Sequence, residues 1–191
     1  DAGHPGVGFW VGVGDTGEVH GCLLWGNGLY DMGDKRFPKG WTRGSPIYAQ
    51  NRDGTRYITD VIAFRNFTTG MKAYTENGYA NGFHFEGNVT FDSPEWNLFG
   101  SGKQNPMERL VVRHNCTYRR PDDPIRESVQ FGYYGAPNRD AVIQDNYFVL
   151  RHGGDRAFCL KLWRDVICTG NTLVGLDTLV TWIPGEPTGT V

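Results

Sequence analysis

The sequence predicts an all-β chain folded as a solenoid of short stacked strands. Three observations predict it: a glycine- and aromatic-rich composition, asparagines recurring behind pairs of apolar residues, and period-two strands separated by turn residues. Of 191 residues, 27 are Gly, 14% are aromatic and only 21% are charged. Such a profile suits turn-rich β structure, and no run of Ala, Leu, Glu and Lys supports an amphipathic helix. The length allows one domain over 1–191, either whole or a segment of a longer chain. A net charge of −2 carries no basic excess for nucleic acid, and no apolar run approaches a membrane span. Neither partner is expected.

The recurring unit is clearest in "GFHFEGNVTF", residues 82–91, where Phe83 and Phe85 precede Asn88 by five and three positions. Six of the twelve asparagines share this spacing: Asn27, Asn66, Asn88, Asn115, Asn146 and Asn171. They are separated by 39, 22, 27, 31 and 25 residues, a period typical of structural repeats. The longest interval contains "YDMGDKRFPKGWTRGSP", read as a loop inserted near 31–46. Asparagine suits a buried turn because its amide both donates and accepts, and because it tolerates left-handed backbone. All six are expected at one corner of the coil, bonded up and down the stack. Between them lie "PIYAQN", "MKAYTEN", "NLFGSG", "SVQFGYYG", "AFCLKLW" and "LVTWI", a second strand family. Six to eight coils are expected. A single unit cannot bury its apolar side, but copies stacked at about 4.8 Å build a continuous core.

The series "FHFEGNVTF … LVVRHNCTY … AVIQDNYFVL … VICTGNTLV" resembles the right-handed parallel β-helix superfamily, which includes pectate-lyase-like proteins. More narrowly, "PIYAQNRDGTRYITDVIAFRNFTTGMKAY" is similar to bacterial β-helix repeat proteins without an assigned function. The resemblance implies a secreted or cell-surface protein whose partner is a polysaccharide. It also implies an outward parallel sheet on which an acidic glycan lies, with a Lys, Arg or Tyr removing the C5 proton of a uronate.

Side chains at even offsets before the asparagines are expected outside. One such column reads Trp25, Phe64, Glu86, Arg113, Gln144 and Thr169; another reads Leu23, Ile62, His84, Val111, Val142 and Ile167. His84 is the odd residue in the apolar column, either hydrogen-bonded beneath a loop or acting at the edge of a cleft. Glu86 and Arg113 read first as a surface ion pair worth under about 1 kcal/mol. In the second strand family Tyr48 and Gln50 should face out beside Lys72 and Tyr74, with Phe99, Gln130, Tyr134, Lys161 and Trp163 continuing that face. Rings interleaved with amides and cations suit a glycan, or form an ordinary solvated face. By the resemblance, Lys72 with Tyr48 or Tyr74 is the first choice for base and stabiliser, and Arg113 and His84 are further catalytic candidates.

Asp122, Asp123 and Glu127 in "RRPDDPIRE" read as a solvated loop rather than a glycosidase acid pair. No cofactor is expected, with a single loop-bound Ca²⁺ left as the alternative. Cys22, Cys116, Cys159 and Cys168 lack zinc-site spacing and are either disulfides or buried thiols. The Asn-x-Ser/Thr matches at Asn66, Asn88 and Asn115 fall on expected corners, so their amides should be occupied. Two functions remain: a carbohydrate-active β-helix, lyase-like on an acidic glycan (or a glycoside hydrolase), and a non-catalytic structural or adhesive segment. In the second case uncapped coil ends would associate with other chains.

Overall fold

The computed structural model describes residues 9–11, 14, 16–30, 42–119, 127–132, 137–150, 156–175 and 178–183. Three parallel sheets run the length of the stack, with no helix among the described residues. The first sheet has seven strands: Phe9–Val11, Ile47–Ala49, Met71–Thr75, Leu98–Gly102, Glu127–Phe131, Arg156–Lys161 and Thr178–Ile183. The second has six: Gly17–His20, Arg56–Thr59, Phe83–Glu86, Glu108–Arg113, Asn138–Gln144 and Trp163–Thr169. The third has six of three residues each: Leu23–Trp25, Ile62–Phe64, Val89–Phe91, Cys116–Tyr118, Tyr147–Val149 and Thr172–Val174. Each coil passes from second sheet to third to first, and each strand pairs in parallel with its equivalents in adjacent coils. Leu29–Tyr30 pairs antiparallel with Thr42–Arg43 and so brackets the expected insertion, of which residues 31–41 lie outside the described set.

The turn from second to third sheet shows how the sequence makes a coil. At this corner Gly21, Asp60, Gly87, His114, Asp145 and Gly170 have φ between 53° and 66°. One left-handed residue reverses the chain direction cheaply when it is Gly, Asn or Asp. The next residue carries the ladder. Asn88 donates through Nδ2 to Asn115 Oδ1 at 2.9 Å, Asn115 to Asn146 Oδ1 at 2.9 Å, and Asn146 to Asn171 Oδ1 at 2.9 Å. Each amide also serves the backbone, as when Asn115 Nδ2 bonds the Phe85 carbonyl at 2.8 Å. These bonds satisfy polar groups that the turn buries, as such groups require.

Two of the six expected corner asparagines are not in this ladder. Asn27 and Asn66 sit at the next corner, between third and first sheets, following Gly26 and Arg65 (φ 64° and 49°). They form their own rung, with Asn27 N and Nδ2 both 3.1 Å from Asn66 Oδ1. Cys22 and Val61 hold the ladder position in the first two coils. The 22-residue interval from Asn66 to Asn88 is therefore less than one coil, whereas the 27, 31 and 25 residues that follow are each a full coil.

The expected outer columns change accordingly. Glu86, Arg113, Gln144 and Thr169 share a column with Thr59 and His20, and His84, Val111, Val142 and Ile167 share one with Tyr57 and Glu18. Trp25 and Phe64, with Leu23 and Ile62, belong instead to the third sheet.

Alternation fills the interior with Ile47, Met71, Leu98, Phe83, Phe85, Val112, Phe131 and Phe148, among others, each at most 1% exposed. Full burial of one such side chain contributes about 1.5–3 kcal/mol. The interior residues of the third sheet include Ala63, Thr90 and Thr117, which are small, while larger Phe64, Phe91 and Tyr118 point outward. All four cysteines are free thiols, and Cys159 is buried. Asn66, Asn88 and Asn115 are at most 1% exposed with their amides hydrogen-bonded.

Candidate functional site

The first sheet carries the densest group of chemically active side chains. Register places Tyr48 beside Lys72, Lys72 beside Phe99 and Tyr74 beside Ser101, all at outward positions of neighbouring strands. Lys72 Nζ lies 4.8 Å from the Tyr74 ring centroid, 5.5 Å from Phe99 and 5.7 Å from Tyr48. These are cation–π distances. Tyr48 and Tyr74 meet edge to face at 6.3 Å, and Trp96 stacks on Phe99 at 4.7 Å. The enclosure costs the ammonium its hydration and pushes the Lys72 pKa down, against the pull of Glu95 and Glu76. Burial likewise raises the Tyr48 pKa, although its hydrogen bond with Gln50 opposes the shift. The Tyr74 hydroxyl donates to Glu76 Oε1 at 3.3 Å, and Lys103 Nζ reaches Glu76 at 3.5 Å.

Tyr48, Gln50, Lys72, Tyr74 and Phe99 thus come together as expected, though Phe99 is 4% exposed and presents little open surface. Gln130 continues the Lys72–Phe99 column but is 1% exposed and turns its Nε2 back to the Gly132 carbonyl. Trp163 does not face out at all. It is fully buried, starts a strand of the second sheet, and donates its indole N–H to the Phe131 carbonyl at 3.0 Å. The apolar run "AFCLKLW" crosses a corner before its tryptophan, which alternation alone does not reveal. Lys161 is half-buried three coils along from Tyr74, about 14 Å away at the usual strand spacing. Tyr134, Asp122 and Asp123 lie outside the described residues, as does the side chain of Glu127.

His84 and Arg113 belong to the second sheet, so the five catalytic candidates divide between two faces. Arg113 Nη2 bonds Glu86 Oε2 at 2.9 Å, which holds the Glu86 carboxyl below its ordinary range. The His84 ring meets Tyr57 edge to face at 4.9 Å. Burial and the positive charges of Arg113 and Arg109 lower its pKa, with Glu86 opposing, so the neutral imidazole is favoured. His84 closes one end of an open concavity of about 790 Å³ floored by Val111, Val142 and Ile167 and edged by Asp140 and Asp165. Arg109, Asp140 and Asp165 share a left-handed backbone (φ 56°, 60° and 56°) and repeat at one position of successive coils. Asparagine spacing does not single them out. Their signal was the recurrence of "ERLVV", "RDAVI" and "RDVIC".

No family model, curated protein or solved structure matches this chain. Its likeness to parallel β-helix proteins therefore rests on the solenoid, and a shared fold does not settle an activity. Among the described residues no group of three or more His, Cys, Asp or Glu could hold a metal ion, and no helix is long and apolar enough to cross a membrane.

Proposed function

We propose that the protein is an extracellular, pectate-lyase-like β-helix that binds an acidic polysaccharide on the outer face of the first sheet and cleaves it by β-elimination. The observation that carries this reading is the convergence of Lys72 with Tyr48 and Tyr74. The rings offer apolar surface to sugar C–H groups, while Gln50 and the phenol groups offer hydrogen bonds to hydroxyls. A lysine pKa brought down by burial makes a better base near neutral pH than an exposed one. Lys72 Nζ would take the proton on the carbon beside the uronate carboxylate, and the glycosidic oxygen on the next carbon would leave with the electron pair.

Incubation with pectate, alginate and glycosaminoglycans, followed by ultraviolet absorbance of unsaturated uronates, tests the reaction. Product that disappears in Lys72→Met supports it; absence of product on every acidic glycan removes the lyase assignment. A non-catalytic structural segment is the second reading, favoured by the uncharged outer face of the third sheet.

A further inference from the structure

The third sheet presents an apolar strip to solvent. Leu23, Trp25, Ile62, Val89, Tyr147 and Val174 retain 36% to 60% of their surface. Among described residues the only other large hydrophobic side chain so exposed is Ile167, on the second sheet. Register arranges the outward positions in two columns, Leu23–Ile62–Val89–Cys116–Tyr147–Thr172 and Trp25–Phe64–Phe91–Tyr118–Val149–Val174. Neither column contains a charge. A contiguous exposed apolar face of this kind marks an interaction surface.

Two rings of the strip stack on each other. Phe64 and Phe91 are parallel within 4° with centroids 4.9 Å apart. Rings lying flat on the surface could not approach so closely edge to edge, so they overlap face to face. Phe64 and Phe91 thus turn part of one face to each other, while Trp25 and Tyr147 remain 60% and 45% exposed.

Area and charge point to a second copy of this chain. With about 150–250 Å² for each aromatic side chain and less for each aliphatic one, these six residues leave on the order of 500 Å² open. Two strips face to face would remove roughly 1,000 Å² or more, the range in which specific interfaces begin. Sheets packed this way lie about 10 Å apart with interdigitating side chains. An uncharged strip can meet its own copy without like-charge repulsion.

The rims then choose the orientation. On one side stand Asp60, Glu86 and Asp145, in contact with His20, Arg113 and His114 on the same rim. On the other stands Arg65, 3.9 Å from Asp92, with a side chain 74% exposed against 64% for Asp60. A two-fold axis along the solenoid sets Asp60 of one copy against Arg65 of the other, twice. The perpendicular axis would set each rim against its own copy and forgo that pairing.

We propose that the chain forms a two-fold dimer through the outer faces of the third sheet, with Asp60 and Arg65 opposed across its rims. This inference does not depend on the glycan reading. Sedimentation equilibrium on the full chain tests it, with circular dichroism confirming that each variant is folded. Wild type should dimerise with a micromolar dissociation constant, and Ile62→Lys should weaken it at least about tenfold. Ile167→Lys, off the strip, should leave the dimer unchanged. Asp60→Arg should weaken association, and adding Arg65→Asp should restore it. A wild-type chain that stays monomeric through the micromolar range overturns the proposal, even if the strip then binds a glycan, a lipid or another protein. Dimers indifferent to Ile62→Lys overturn it as well, and failure of the paired reversal overturns the orientation.

Discussion

Asn115 Nδ2 donates to Asn146 Oδ1 at 2.9 Å while Asn115 Oδ1 accepts from the backbone N–H and side-chain amide of Asn88, at 3.0 and 2.9 Å. One side chain thus joins three coils. Replacing Asn115 with Ala leaves two buried donors on Asn88 and the Phe85 carbonyl without this partner, and each such group costs about 1–3 kcal/mol. Chemical denaturation should show Asn115→Ala destabilised by at least about 2 kcal/mol. Asn27→Ala should cost less, because Asn27 is half-buried and pairs with one other asparagine, Asn66.

Gly100 should resist enlargement. A Cβ there would stand 2.6 Å from Phe131 Cδ1 and 2.9 Å from Met107 Cε, deep in the core. Overpacking of this kind costs about 1–3 kcal/mol, so Gly100→Ala should lower the thermal midpoint by several degrees.

Lys72 carries a pH signature. Its folded pKa is lowered, so the charged form is penalised by the fold, and unfolding takes up protons between the folded pKa and the ordinary value of 10.5. Stability from this group rises with pH through that window. Wild type should therefore gain on Lys72→Met as pH climbs toward 10.5. A stability difference that stays flat across the alkaline range would refute the enclosure of the ammonium.

His84 shifts in the same direction in a lower range. Tyr57, Glu86, Arg109 and Arg113 surround it, and burial dominates the lowering from 6.5. Below pH 6.5 the unfolded chain protonates first, so this contribution to stability falls as pH drops toward the folded pKa. NMR titration should place the His84 midpoint below 6.5, and His84→Gln should flatten the acid limb of stability.

The solenoid was legible because period-two alternation and recurring asparagines are local features of the chain. The assignment of corners was not. Asn66 and Asn88 have apolar residues at the same two offsets before them, yet one follows the third sheet and the other the second, and only strand pairing separates them. That ambiguity moved Trp25 and Phe64 onto the wrong face and hid the apolar strip. The Tyr48–Lys72–Tyr74 group was readable because two strands aligned without insertion. Trp163 was misplaced, and Gln130 stands in its expected column but covered, because alternation gives the side of a strand but neither where a corner falls nor what lies over it.

Engagement of an acidic glycan by the outer face of the first sheet, through Lys72, can be measured directly. Affinity electrophoresis in gels containing pectate, alginate or a glycosaminoglycan tests binding without requiring turnover. At least one of these should retard the protein, less in Lys72→Met and Tyr74→Ala and equally in Ile62→Lys. Unretarded migration in every gel, or retardation insensitive to both Lys72 and Tyr74, would contradict it.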